Sequence, residues 1–173
     1  NLVTKIGGDD VALSPVLSFA SKNAATGITV SLTGSTLTGA DAGNYTLSLV
    51  GAPTAIADIT ARELTIGGSF TVNNKVYDGT TAAVINTNSL TIINKVGVED
   101  VSLSAVAVFA SKDAAIGINV SLTGTTIIGA DISNYTLSLT GAPTTTANIS
   151  TRELTIGGSF TVNNKAYDGT TAA

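Results

Sequence analysis

Residues 62–83 read RELTIGGSFTVNNKVYDGTTAA and residues 152–173 read RELTIGGSFTVNNKAYDGTTAA, so only Val76/Ala166 differs in 22 positions. A self-match of this length sets a repeat period of 90 residues. With the same offset, residues 1–61 align onto 91–151 without a gap, with 36 identities in 61 positions. The chain therefore divides into the closing two-thirds of one unit (1–61), a complete unit (62–151) and the opening strands of a third (152–173). A unit of this size exceeds the roughly 20–45 residues of a solenoid rung. It suits a small domain with its own core, repeated as beads on a string.

Within the unit, apolar and polar residues alternate with period two, the pattern of half-buried strands. Ile118, Val120 and Leu122 alternate with Asn119, Ser121 and Thr123, and Tyr135, Leu137 and Leu139 with Thr136 and Ser138. Leu64 and Ile66 flank Thr65, and Phe70 and Val72 flank Thr71. Val101, Leu103, Ala105, Ala107 and Phe109 form one longer stripe. Turn residues separate these runs: Gly67-Gly68, Asn73-Asn74, Asp78-Gly79, Asn86 to Ser89, Gly117, Gly124, Gly129 and Gly141-Ala142-Pro143. No capped segment of helical period occurs. The expected fold is all-β, a tandem of immunoglobulin-like β-sandwich domains of 90 residues. The expected interior holds Leu64, Ile66, Phe70, Tyr77, Val101, Leu103, Phe109, Val120, Leu122, Tyr135, Leu137 and Leu139.

Composition narrows the function. Charged residues make up 12% of the chain and hydrophobic residues 43%, with no Cys, His, Trp or Met and a net charge of −4. The lysines and arginines stand singly, whereas a phosphate-tracking surface needs them clustered, so no nucleic-acid partner is expected. No apolar run approaches the roughly 18–20 residues of a membrane-spanning helix. Without His or Cys there is no Ser-His-Asp or Cys-His nucleophile and no usual zinc site. The Gly-Gly pairs do not open a helix, as a phosphate loop requires. The chain is expected not to be an enzyme and to carry no cofactor. Asn1 is not a natural start residue, and the chain reads as an excerpt of a longer protein.

Two motifs anchor the expected domain. In Tyr77-Asp78-Gly79-Thr80, Gly79 is suited to φ > 0 and Asp78 to accepting a backbone N–H two residues on, while Tyr77 offers a large ring with a polar tip. Tyr167, Asp168 and Gly169 repeat this anchor. Asp-Ala-Gly-Asn-Tyr at 41–45 and Asp-Ile-Ser-Asn-Tyr at 131–135 precede alternating strands. That spacing resembles the tyrosine corner of immunoglobulin-like domains, in which the hydroxyl bonds back to nearby backbone. Tyr45 and Tyr135 are therefore expected in equivalent, buried positions.

Asn-Asn-Lys-Val-Tyr-Asp-Gly-Thr-Thr-Ala-Ala at 73–83 resembles the signature of the YDG/MBG repeat domains of large bacterial surface proteins, including filamentous-haemagglutinin-type adhesins. Companion stretches follow in order: Phe109-Ala-Ser-Lys112, Gly129-Ala-Asp-Ile-Ser-Asn-Tyr-Thr-Leu137, Thr146-Ala-Asn-Ile149 and Arg152-Glu-Leu-Thr-Ile156. The resemblance covers essentially the whole chain and implies an extracellular location with a structural or adhesive role.

Two classes of function follow: a spacer repeat of a stalk or fibre, or a module binding a host, glycan or surface ligand. Near-identity of the copies and the absence of Trp favour the spacer. Asp9-Asp10 and Glu99-Asp100 read as solvated turn acids, with calcium as the alternative. Lys75, Lys95 and Lys112 are candidate amines for Lys–Asn isopeptide cross-links. The fragments 1–61 and 152–173 together supply 83 of the 90 positions of a unit. The expected partner is thus another copy, with 152–173 of one chain filling the gap in 1–61 of the next, or the same completion within a continuous chain.

Overall fold

A computed structural model describes residues 2–172. It is all-β, with several sheets. Among the described residues, helical backbone is confined to two three-residue 3-10 turns, Ala42–Asn44 and Ile132–Asn134.

In the first 61 residues, β1 (Ala12–Ser14), β2 (Leu17–Phe19), β3 (Ala25–Leu32), β4 (Thr36–Thr38) and β5 (Ala55–Ile59) form two separate antiparallel sheets. One is the β1–β4 pair, and the other has the order β2-β3-β5.

The complete unit continues with β6 (Arg62–Val72), β7 (Lys75–Val76), β8 (Ala82–Ala83), β9 (Ile85–Ile93), β10 (Ser102–Ser104), β11 (Ala107–Phe109), β12 (Ala115–Ser121), β13 (Thr126–Ile128), β14 (Tyr135–Leu137) and β15 (Thr145–Ser150). Its sheets are β7-β15-β12-β11-β8, β14-β6-β9 and the β10–β13 pair. β14 runs parallel to β6, and β7 parallel to β15; the other pairs are antiparallel.

One core joins the two larger sheets. Ile66 and Phe70 from β6 meet Ala107 and Phe109 from β11, Ile118 and Val120 from β12, and Ala147 and Ile149 from β15. Leu64, Val101 and Tyr135 form a second buried group at one end, with Ile92, Ile127 and Leu137 against it. The period-two reading thus identifies the inward residues of most strands. Leu103, Leu137 and Tyr77 are only partly buried. Leu139 is exposed because the chain leaves β14 at Leu137.

Four expectations change, the first at Gly117, which is no turn between strands but lies within β12 at the bulge between Ala115 and Ile118. Gly67-Gly68 is not a turn but the middle of β6, paired with Thr91 and Leu90 of β9. At Gly68, φ is +81° and a Cβ would fall 2.1 Å from the Ser89 carbonyl oxygen, so glycine here permits close strand approach. Asn86 to Ser89 likewise lies within β9. The stripe 101–109 is not one strand: β10 and β11 belong to different sheets, with Ala105 and Val106 between them.

Candidate functional site

The Tyr77-Asp78-Gly79-Thr80 turn closes on Lys75. Asp78 Oδ1 accepts from Lys75 Nζ (2.9 Å), the Thr80 amide (2.9 Å) and the Thr80 hydroxyl (2.9 Å). Gly79 takes φ +80°, which turns the chain back so that the amide can reach. Lys75 also donates to the carbonyls of Thr80 (2.8 Å) and Ala82 (3.1 Å), and its ammonium lies 5.5 Å from the Phe109 ring centroid. Lys75 and the Thr80 donors hold the Asp78 carboxyl down to about 2. Tyr77 packs against the core, with the Lys112 ammonium 5.8 Å from its ring centroid. The turn fastens the β7–β8 connection to the core.

The same bonds recur at Lys165, Asp168 and Thr170. The Thr170 amide first, and Lys165 with it, lowers the Asp168 carboxyl. Yet Tyr167 is 98% exposed, against the expectation of an anchor. The turn is a local hydrogen-bonded unit, whereas burial of its tyrosine needs a sheet to pack on.

The tyrosine motif forms a different clasp from the expected corner. Tyr135 hydroxyl donates to Glu99 Oε2 at 2.5 Å and accepts from the Val96 amide at 3.0 Å, both far upstream rather than a few residues away. Tyr45 repeats this with Asp9 Oδ2 (2.5 Å) and the Ile6 amide (3.1 Å). The acceptor carboxylate raises the pKa of each phenol. Tyr135 is buried, and Tyr45 only partly so.

Beside the phenol, the Asp100 amide donates to Asp131 Oδ2 (2.8 Å), while the Ala130 amide donates to Asp100 Oδ2 (2.9 Å) and the Asp131 amide to the Asp100 carbonyl (3.2 Å). Asp10, Ala40 and Asp41 reproduce all three. The acidic pairs do lie exposed or half-exposed in the turns before β1 and β10, as expected, and they also serve as structural clasps. Each ties the loop before β1 or β10 to the 3-10 turn that carries the tyrosine. The clue in the sequence was the repeated 36-residue spacing of Asp9 to Tyr45 and Glu99 to Tyr135.

Lys95 donates to the Glu99 carbonyl at 3.2 Å and Lys112 to Asp113 Oδ1 at 2.8 Å. That pairing raises the Lys112 pKa and lowers that of Asp113. Among the described residues, no Asn side chain lies within hydrogen-bonding distance of Lys75, Lys95 or Lys112. No three acidic side chains come together as metal ligands among those residues. Among the described residues no helix is long and apolar enough to cross a membrane.

Residues 1–61 contain an open cleft of about 410 Å³, lined by Val11, Leu13, Leu32, Leu37, Tyr45 and Leu47 among others. Their counterparts in the complete unit are Val101, Leu103, Leu122, Ile127, Tyr135 and Leu137, which enclose Leu64 and Ile66. Residues 152–172 carry the matching side chains but hold no strand. Leu154 is 88% exposed where Leu64 is 0%, and Phe160 is 89% exposed where Phe70 is 4%.

These features define a class: an all-β scaffold domain whose turns fasten loops to strands, its core closed in residues 62–151 by the opening strand β6. The YDG domain model matches residues 1–55 and 60–147, and the chain belongs to the YDG domain family. No curated protein and no solved structure matches it.

Proposed function

We propose that this chain is a spacer segment, a run of immunoglobulin-like β-sandwich repeats in the stalk of a bacterial extracellular adhesin or surface fibre, joined head to tail and without catalysis. The observation that carries this reading is the joint between units. Only Thr60 and Ala61 separate β5 of the first unit from β6 of the second. A link of two residues leaves little freedom, unlike a flexible Gly/Ser linker.

Side contacts support the joint. The Ala24 amide donates to Asn134 Oδ1 at 2.8 Å, Asn134 Nδ2 to Asn23 Oδ1 at 3.5 Å, and Lys22 Nζ to Glu99 Oε1 at 3.4 Å. Glu99 and Asn134 belong to the tyrosine clasp of the next unit, so the clasp also presents the surface on which the preceding unit rests. A joint of this kind transmits orientation from unit to unit, which suits a stalk.

Small-angle scattering of chains with increasing numbers of 90-residue units tests the reading. A spacer gives a rod that lengthens by roughly 35–45 Å per unit, the span of a strand of about ten residues. A maximum dimension that grows as a flexible coil, or does not grow, overturns it.

A further inference from the structure

In the complete unit 62–151, β9 is the outer strand of the sheet β14-β6-β9, and among the described residues no strand pairs with its far side. The direction of its backbone groups follows from its contacts with β6. The Thr87 amide donates to the Thr71 hydroxyl at 3.2 Å, and the Ser89 carbonyl oxygen lies against Gly68. Along an antiparallel strand, residues alternate between facing one neighbour and facing the other. Asn86, Asn88, Leu90 and Ile92 therefore turn their amides and carbonyls away from β6. The Leu90 amide, with no strand to meet, takes the Asn88 side-chain oxygen at 3.1 Å.

Natural sheets guard such an edge with lysine, proline, a bulge or a very short strand. β9 runs nine residues, Ile-Asn-Thr-Asn-Ser-Leu-Thr-Ile-Ile, without a charge or a proline. Its register shift against β6 is confined to the Val72–Ile85 end. From Gly79 to Asn94 no residue is charged, and the charges of the unit stand at Arg62-Glu63, in the Lys75–Asp78 turn, around the tyrosine clasp and at Lys112-Asp113. Beside the start of the strand lies an apolar groove of about 430 Å³, lined by Ala82, Ala83, Ile85, Ala105 and Val106 among others.

We propose that the β9 edge is a lateral self-association surface, on which β9 of a second copy of this chain pairs antiparallel in a two-fold arrangement centred on Ser89. Ser89 then lies against Ser89 of the second copy, Thr87 against Thr91, and Asn88 against Leu90. This register bonds the outward groups of Asn86, Asn88, Leu90 and Ile92. The Asn88 carbonyl of the second copy replaces the Asn88 side chain on the Leu90 amide, so a local bond is exchanged for a ladder. The two three-stranded sheets become one.

The occupant follows from charge and symmetry. A charged strand finds no counter-charge along this edge. An identical strand brings no like charges into opposition, and it sets Thr against Thr and Ser against Ser on the solvent face, pairs that bond through their hydroxyls. An isologous contact of this kind closes on itself and joins two chains side by side. Side-by-side pairing is independent of the spacer reading, which rests on the end-to-end joint.

Sedimentation velocity of the 173-residue chain over a concentration series tests this pairing. The parent chain is expected to dimerise as concentration rises. Ser89 is exposed in the single chain, so Ser89→Lys and Ser89→Glu are expected to keep the parent's circular dichroism. Each sets two like charges directly opposite one another in the pair and is expected to weaken dimerisation about fivefold. An equimolar mixture of the two variants sets Lys against Glu and is expected to restore it. Asn119→Lys, at an exposed position of β12 in the other sheet, is expected to leave dimerisation unchanged. A parent chain that stays monomeric, dimers indifferent to both Ser89 variants, a mixture no better than its components, or an Asn119→Lys effect as large as that of Ser89→Lys overturns the proposal.

Discussion

The Tyr135 hydroxyl and the Glu99 carboxylate meet at 2.5 Å, and Glu99 also faces Lys22 of the preceding unit at 3.4 Å. One carboxylate thus serves both the internal clasp and the joint. Because the tyrosine pKa is raised above 10.0 in the folded chain, chiefly by Glu99, the neutral phenol is the form that folding favours. The stability linked to it is complete below that value and is lost as pH rises through the higher folded pKa. Alkaline unfolding, followed by tyrosinate absorbance and circular dichroism together, is expected to lose part of its pH dependence above pH 10 in Tyr135→Phe. Tyr135→Ala is expected to lower the urea midpoint more than Tyr135→Phe does, since it removes the ring as well as the hydroxyl. An unchanged midpoint in the Ala variant refutes the clasp's structural role.

Acid acts on the other anchor. Asp78 is held at about 2 by Lys75 and Thr80, below its ordinary 3.8. A lowered carboxyl stabilises the fold above its unfolded pKa and ceases to do so as pH falls through the folded one. Stability measured by urea titration is expected to drop between pH 4 and pH 2, and Asp78→Asn is expected to flatten that limb. A limb of equal slope in the variant assigns the acid sensitivity elsewhere.

Gly129 has φ +133°, and a Cβ there would lie 2.1 Å from the Asp100 carbonyl oxygen. Gly129→Ala must therefore open the Asp100–Asp131 clasp. The backbone strain alone is on the order of 1–3 kcal/mol. The thermal midpoint is expected to fall, with loss of amide protection at Asp131. A variant as stable as the parent shows that the clasp contributes nothing.

Phe109 and Phe19 are repeat counterparts, but Phe109 is 2% exposed and Phe19 43%. Phe109→Ala is expected to cost about 3–5 kcal/mol through the cavity it leaves. Phe19→Ala is expected to cost much less in the 173-residue chain. Paired denaturation curves check this, and equal losses contradict the difference in packing.

Each candidate cross-linking amine is engaged by oxygen acceptors: Lys75 by Asp78, Thr80 and Ala82, Lys95 by the Glu99 carbonyl, and Lys112 by Asp113. Intact-mass measurement is expected to give the plain sequence sum. A deficit of one ammonia would identify an isopeptide bond and displace this arrangement.

Much of this was already decided along the chain. The 90-residue period, the all-β character, the Asp78-Gly79 turn and the inward placing of Leu64, Phe70, Phe109 and Val120 follow from self-similarity and from alternation across a pleat. These properties are local or periodic, so reading the residues recovers them. The Lys165–Asp168–Thr170 turn shows the point, since it forms even where nothing packs on it.

Tertiary structure decided the rest. It made β6 pass through Gly67-Gly68, split 101–109 between two sheets, and set Asp9 and Glu99 against tyrosines 36 residues away. It also separated identical sequences. Tyr-Thr-Leu is a strand at 135–137 and none at 45–47, and the segment that is β6 at 62–72 is exposed at 152–162. The physical reason is that a strand has no hydrogen-bond partner of its own. Its amides and carbonyls are satisfied by a neighbour and its apolar face by an opposing sheet, and whether those are present is a property of the assembled fold.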